Sequence, residues 1–151
     1  MGWGVILEQS GVLKALDYGT IRPKEQEFSA RLGSIFRELH GILKKYEPSE
    51  AAIENVFTCK NAASALKLGQ ARGIAVAACA SLSIQVMDYE PTMVKKSLTG
   101  AGRAEKSQVA FMVQRILGLN AVMGEDTTDA LAIAICHLNM RRFNKLAGLQ
   151  K

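Results

Sequence analysis

The sequence contains no uninterrupted apolar run of the roughly 20 residues that a membrane-spanning helix needs. Its first residues also lack the basic start and apolar stretch of a secretory signal peptide. Internal repeats and low-complexity linkers are absent as well. These absences predict a cytoplasmic protein with a single domain over residues 1–151, in which only residues 147–151 resemble a frayed tail.

Cysteine is also scarce, and its arrangement argues against a metal or disulfide framework. Cys59, Cys79 and Cys136 are odd in number and too far apart for a CxxC pattern. We therefore expect reduced, buried thiols rather than a zinc site.

The usual nucleotide-binding signatures are missing too. The segment GAGRAEKS has neither the glycine before Lys106 nor the preceding strand that a Walker A or GxGxxG motif requires. A glycine loop that delivers Arg103 and Lys106 to a phosphate explains the segment better.

What the sequence does contain is an excess of positive charge, with a net charge of +5. This balance favours a polyanionic partner, although many basic proteins bind no nucleic acid. With 151 residues, the chain can bury one core without disulfides or metals to hold it together.

Hydrophobic periodicity predicts strands first, then alternating helices and strands, then helices. A hairpin turns at Ser10 and Gly11, and a long amphipathic helix over residues 25–46 ends before Pro48. Short strands around Ile53 and in SIQVMDY flank an alanine-rich helix that reaches about Ser81. Three further helices follow: TMVKKSL, EKSQVAFMVQRILGL and TTDALAIAICHLNMRRF. The order predicts an α/β domain with a mixed sheet.

Three carboxylates are the candidates for metal chemistry. Asp126 and Asp129 lie three residues apart on one face of a predicted helix, and Glu54 interrupts a short apolar strand. Converging carboxylates can bind two Mg²⁺ ions for phosphodiester cleavage. Acidic residues in a first helical turn are also common partners of the helix dipole, and a Glu at a strand end can emerge into solvent. Spacing alone leaves these interpretations open.

Several other side chains have two interpretations. His137 lies roughly on the acidic helix face, but a lone helical histidine is more often a packing residue. Phe57, beside Lys60 and Asn61, is either a core residue or an aromatic that stacks on unpaired bases, and the sequence favours the core. Lys95 is either a solvated charge or a phosphate contact.

Three segments together closely resemble the RuvC family of bacterial Holliday junction resolvases: AAIENVFTCKNAASALKLGQARGIAVAA, VKKSLTGAGRAEKSQVAFMVQRILGL and DTTDALAIAICH. The similarity extends from about Gly2 to Leu138. These segments are long, ordered and correctly spaced, so the match is more specific than any single short motif.

The resemblance implies an RNase H-like (retroviral integrase-like) mixed sheet flanked by helices. It also implies a homodimer that cuts two symmetry-related strands of a four-way DNA junction with Mg²⁺ or Mn²⁺, with two ions in each active site. The family further suggests a branch-migration complex of RuvA and RuvB as a partner. The helix KNAASALKLGQARG resembles the dimerisation helix of the family.

The resemblance also assigns roles to individual residues. Glu54, Asp126 and Asp129 fall on the metal-binding acids of the family, and Lys106 and Lys95 fall on basic residues that assist at the scissile phosphate. Phe57 matches an aromatic residue that engages opened bases, which reverses the expectation of a core position. Further DNA contacts are expected from Lys60, Asn61, Arg103 and Lys106. His137 matches a position near the metal site, but the resemblance does not make it catalytic.

The sequence departs from the family at its start. Family members open with an apolar strand of GIDPG type whose aspartate is a metal ligand, whereas GWGVI matches the segment that follows this strand. We therefore expect the first central strand and its aspartate to be missing here. A truncated reading of an ordinary resolvase is favoured over a natural short form without activity.

Three functional hypotheses follow. The chain is a metal-dependent endonuclease that resolves Holliday junctions by paired symmetric nicks in DNA recombination and repair. Alternatively, it is a truncated RuvC-like protein that binds junctions but does not cut them. A third hypothesis is an RNase H-like nuclease that acts on RNA.

Overall fold

A computed structural model describes residues 1–55 and 61–148. Four strands and five helices occupy this part of the chain, in the order that the periodicity predicts. They are β1 (Gly2–Gln9), β2 (Val12–Thr20), α1 (Phe28–Tyr46), β3 (Glu50–Glu54), α2 (Ala62–Ala80), β4 (Gln85–Tyr89), α3 (Pro91–Thr99), α4 (Lys106–Leu117) and α5 (Glu125–Leu146).

Strands β1 and β2 form the predicted antiparallel hairpin. Gln9 pairs with Val12, so the loop has two residues, and both Ser10 (φ 52°) and Gly11 (φ 83°) adopt positive φ. Tight two-residue hairpins favour this conformation because it matches the twist of the strands. The register shifts between Val5, which pairs with Asp17, and Ile6, which pairs with Ala15, so β2 carries one extra residue there, as in a β-bulge.

Strands β3 and β4 form a parallel pair, connected by helix α2, with Glu50 opposite Gln85 and Glu54 opposite Tyr89. Antiparallel and parallel pairing therefore both occur, as predicted. In the two ranges that the structure describes, however, they form two separate two-stranded sheets, because no strand there is hydrogen-bonded to both β1 and β3. Helix α5 packs against both of these strands and so connects the two sheets.

Local sequence signals explain where the helices begin and end. Glu27 caps α1 by accepting hydrogen bonds from the backbone amides of Ser29 and Ala30, so this helix begins three residues after the predicted Glu25. Pro91 opens α3 at a position where a missing amide costs nothing. Gly100 ends the same helix in the left-handed conformation (φ 79°) that glycine adopts most easily.

The buried residues form two clusters. One joins α3, α4 and α5 and includes Val113, Leu131 and Ile135. The other lies between α1 and α2 and includes Leu39 and Ala78.

Two sequence expectations about burial can be compared with these clusters. Cys79 and Cys136 are buried free thiols, as predicted, whereas Cys59 lies outside the described residues. Phe28 precedes Leu32 by four residues, a spacing that places it on the predicted apolar face of α1, but it is half exposed because it stands at the first position of the helix. None of the helices in residues 1–55 and 61–148 has the length and apolar character that crossing a membrane requires.

Candidate active site

Glu54 is the last residue of β3, where the strand leaves the sheet. Its backbone is fixed because the amide of the next residue, Asn55, donates to the carbonyl of Tyr89 at 2.8 Å. Partial burial raises the pKa of the Glu54 carboxyl, and the negative charge of Asp129 raises it further, whereas the ammonium of Lys106 lowers it. Glu54, Asp129 and Lys106 are therefore close enough to interact electrostatically, although they come from three separate elements.

Asp126 and Asp129 lie at the start of α5, as predicted. Gly2 of β1 lies directly against the backbone of Asp126, where any side chain would collide. The amino group of Met1 is 3.9 Å from the Asp126 carboxylate. Asp129 is exposed, yet desolvation by neighbouring atoms raises the pKa of its carboxyl. The positive charge of Lys106 lowers this pKa, and the negative charges of Glu125 and Asp126 raise it.

These acids have the donor chemistry that Mg²⁺ or Mn²⁺ prefers, namely hard carboxylate oxygens held close to one another. After burial, the charge of Asp129 raises the pKa of Glu54, and the charges of Glu125 and Asp126 raise the pKa of Asp129; a divalent cation would relieve this repulsion. Across the part of the chain that the structure describes, however, no three acidic, histidine or cysteine side chains converge into a complete cation site. The carboxylate oxygens are therefore of the chemical type that the ion prefers, but in the described residues they lie farther apart than the ligands of a complete metal site.

Two lysines stand beside the acids. Lys106 is the first residue of α4, and its ammonium forms an ion pair with Glu125 at the start of α5. This hydrogen bond is the main cause that raises the pKa of Lys106. The positive charge of Lys95 on α3 lowers the pKa of Asp129. The structure thus brings both predicted lysines to the acidic site.

The remaining predicted DNA contacts are less closely grouped. Arg103 is exposed in the loop before α4. Asn61 caps α2, with its side-chain oxygen accepting from the backbone amide of Ser64 at 2.8 Å. Phe57 and Lys60 lie outside the described residues.

His137 is buried in a polar network at the other end of β3. Its Nδ1 lies 2.9 Å from the Tyr89 hydroxyl, and its Nε2 lies 3.0 Å from a Glu50 carboxylate oxygen. Arg141 donates a hydrogen bond to the same oxygen at 3.0 Å. The hydrogen bond from Arg141 has the larger effect in lowering the pKa of Glu50, and the hydrogen bond with His137 lowers it further. Eight residues separate His137 from Asp129, about 12 Å along the helix. Both ring nitrogens are therefore engaged away from the acids.

We expect His137→Ala to lower the free energy of unfolding by about 1–3 kcal/mol, because it leaves the buried Tyr89 hydroxyl without its partner. Urea denaturation followed by circular dichroism measures this loss. None of the side-chain hydrogen bonds of His137 reaches Glu54, Asp126 or Asp129, so the folded variant should keep its single-turnover rate in the DNA cleavage that the family resemblance implies. A folded His137→Ala protein that had lost cleavage would instead place His137 in the chemistry.

Sequence inspection missed two features beside the acids. The first is Glu125, the partner of Lys106, whose only signal was its place next to Asp126 in an acidic run. The second is a shallow cavity of about 350 Å³ that adjoins the start of α5 and includes the exposed Arg22 and the hydroxyl pair Thr20 and Thr127, 3.0 Å apart. Its walls come from β2 and from the segment before α5, so no short motif could have revealed it.

Comparison with known proteins agrees with this geometry. Residues 1–137 match the family model described as crossover junction endodeoxyribonuclease RuvC. A protein of that name from Oleidesulfovibrio alaskensis is 60% identical over 147 residues, an alignment that covers 97% of this chain and 89% of the relative. A RuvC from Acinetobacter baumannii is 47% identical over 136 residues, an alignment that covers 90% of this chain and 75% of the relative.

Solved structures give the same result. The structure of RuvC from Thermus thermophilus superposes on this chain with a TM-score of 0.85 and 32% sequence identity. The match covers 95% of this chain and 89% of the Thermus thermophilus chain. The same protein in complex with a Holliday junction substrate gives a TM-score of 0.88, and the match covers 95% of this chain and 88% of the chain in the complex. These likenesses confirm the predicted α/β, RNase H-like class. The chain belongs to the RuvC family of crossover junction endodeoxyribonucleases.

Proposed function

We propose that this protein is a metal-dependent endonuclease that resolves Holliday junctions by paired, symmetric nicks. The observation that carries the proposal is the grouping of Glu54, Asp129 and Lys106, which come from β3, α5 and α4. A structure-selective nuclease needs this combination of metal-binding acids and a phosphate-binding cation. Family membership gives the substrate class, and the similar Thermus thermophilus protein has been solved with a Holliday junction.

In the proposed mechanism, Glu54, Asp126 and Asp129 would hold Mg²⁺ or Mn²⁺, with two ions in each active site. The bound ions would supply Lewis-acid stabilisation of the phosphate and activation of water. The start of α5 favours ionised carboxylates because the positive end of the helix dipole lies there. Lys106 and Lys95 neutralise the negative charge that develops on the phosphate oxygens.

Residues around the acids would position the DNA. Arg103, which is exposed in the loop before α4, would contact the backbone of the cleaved strand. Lys60 and Asn61 directly precede α2 in the sequence and would bind neighbouring phosphates. Phe57 would stack on bases that are unpaired at the junction centre.

The proposed assembly is a homodimer, because a junction with two-fold symmetry presents two equivalent strands to cut. Helix α2 supports this proposal, since its first half is exposed and includes Leu66 at 63% and Leu68 at 47% exposure. In the described chain, a Cβ added at Gly69 or Gly73 would meet nothing within 4 Å, so that surface is open to a partner. A branch-migration complex of RuvA and RuvB remains a further proposed partner.

A second candidate function is junction binding without cleavage. It is favoured by one observation, the open arrangement of the acids in the described residues. This candidate predicts equal junction binding with and without Mg²⁺ and no nicks.

The test uses three labelled substrates: a four-way DNA junction, linear duplex DNA and an RNA duplex. The endonuclease should nick only the junction, on opposing strands, in Mg²⁺ but not in EDTA. Tight binding without nicks would favour the second candidate. Cleavage of the RNA duplex in preference to the junction would contradict both.

A further inference from the structure

The ion pair between Lys106 and Glu125 joins the starts of two helices. Lys106 is the first residue of α4, a position where the helix dipole disfavours a positive charge. Glu125 is the first residue of α5, and its carboxylate accepts a hydrogen bond from the Lys106 ammonium. Glu125 thus compensates a lysine that stands at an electrostatically unfavourable position.

The same ammonium also lies within the field of two other carboxylates. Glu54 and Asp129 both act on the charge of Lys106, and its charge acts on theirs. Three carboxylates therefore act on the charge of one long, flexible side chain, and that side chain is 71% exposed. The hydrogen bond is made to Glu125.

Which carboxylate holds the lysine matters for a metal ion. An ammonium that is hydrogen-bonded to Glu54 or Asp129 would occupy the carboxylate oxygens that a divalent cation needs. It would also place a positive charge where the cation must sit, and this repulsion is strongest at short range.

We propose that Glu125 is a positioning residue that keeps the Lys106 ammonium outside the Glu54 and Asp129 pair and so leaves their oxygens available to a divalent cation. The inference rests on the proposed function, because it requires these two acids to be the metal ligands. Glu125 is not itself a ligand in this scheme. It acts through Lys106.

The test measures Mn²⁺ binding to the protein without DNA, from the electron paramagnetic resonance signal of the free ion. The variants are Glu125→Gln, Lys106→Gln and the double variant. Glu125→Gln should weaken Mn²⁺ binding by about three- to fivefold, the upper part of the range expected for a single exposed ion pair. In the Lys106→Gln background, the same substitution should change the affinity by less than about twofold, since no lysine remains to be released.

Glu90→Gln is the matched control for loss of charge alone. Glu90 follows Tyr89, the residue opposite Glu54, and its side chain makes no capping hydrogen bond to α3. This variant should weaken Mn²⁺ binding less than Glu125→Gln does. An equal effect of the two variants would overturn the inference.

The remaining outcomes are also distinguishable. If Glu125→Gln has no effect, or has the same effect with and without Lys106, Glu125 does not position the lysine. Glu54→Gln tests the premise separately, because it should remove a ligand and weaken binding whatever residue stands at position 125. Unchanged Mn²⁺ binding in Glu54→Gln would contradict the proposed metal site itself.

Discussion

Replacing Glu54 with glutamine should reduce the single-turnover rate of junction cleavage by well over about 100-fold, because even the outer-shell partners of metal ligands cost about 10- to 100-fold when they are lost. The substitution keeps the size of the side chain but removes its charge. A neutral amide oxygen is a weaker ligand for Mg²⁺ than a carboxylate. Junction affinity measured in EDTA should stay close to that of the unmodified protein, since Glu54 is an acid and cannot attract phosphates.

Glu50→Gln is the control on the same strand. Glu50 begins β3 and Glu54 ends it, but the partners of Glu50 are His137 and Arg141 rather than the acidic site. This control should lose stability, because a charge-assisted pair with Arg141 is weakened, and should keep its cleavage rate at temperatures where it is folded. Cleavage by Glu54→Gln at the rate of Glu50→Gln would refute the assignment of Glu54 to the metal.

Periodicity and turn chemistry were sufficient to predict most of the fold. The Ser10 and Gly11 turn, the proline that opens α3 and the glycine that ends it are local signals, and each predicted element is present. Family resemblance, rather than periodicity, supplied the RNase H-like class that the solved structures confirm. The division into two sheets depends on which strands hydrogen-bond over long sequence distances, and no local pattern determines that.

The candidate site likewise combines residues that the sequence predicts with contacts that only the fold reveals. The sequence predicted the acids and Lys106 as separate motifs, whereas only the fold shows that α4 and α5 begin side by side. The pair of Lys106 with Glu125 is a contact across 19 residues, and the network of His137 with Glu50 spans 87. Long-range partners of this kind have no signature in a single sequence. The metal assignment of Glu54, Asp126 and Asp129 and the DNA contacts stay predictions until variants are measured.

The second large effect should come from the contact that holds α5 against β1. Leu131 is fully buried, and a Cβ built on Gly4 would lie 2.5 Å from its Cδ2 atom and 3.0 Å from its Cγ atom. We expect Leu131→Ala to lower the free energy of unfolding by about 2–5 kcal/mol, because it leaves a cavity in the core. Gly4→Ala should cost about 1–3 kcal/mol, because the new methyl group overlaps the fully buried side chain of Leu131. Urea denaturation gives both values.

The double variant tests whether this contact is the cause. If the two residues compete for the same space, the methyl group introduced at position 4 will occupy part of the cavity left by Leu131. The double variant will then be destabilised by about 0.5–3 kcal/mol less than the sum of the two single variants. Simple additivity would mean that Gly4 and Leu131 destabilise the fold independently. The outcome bears on the site, because α5 carries Asp126 and Asp129 and β1 places Gly2 against the backbone of Asp126. A loosened contact at Leu131 should therefore weaken Mn²⁺ binding in Leu131→Ala, and the double variant should recover part of that affinity along with its stability.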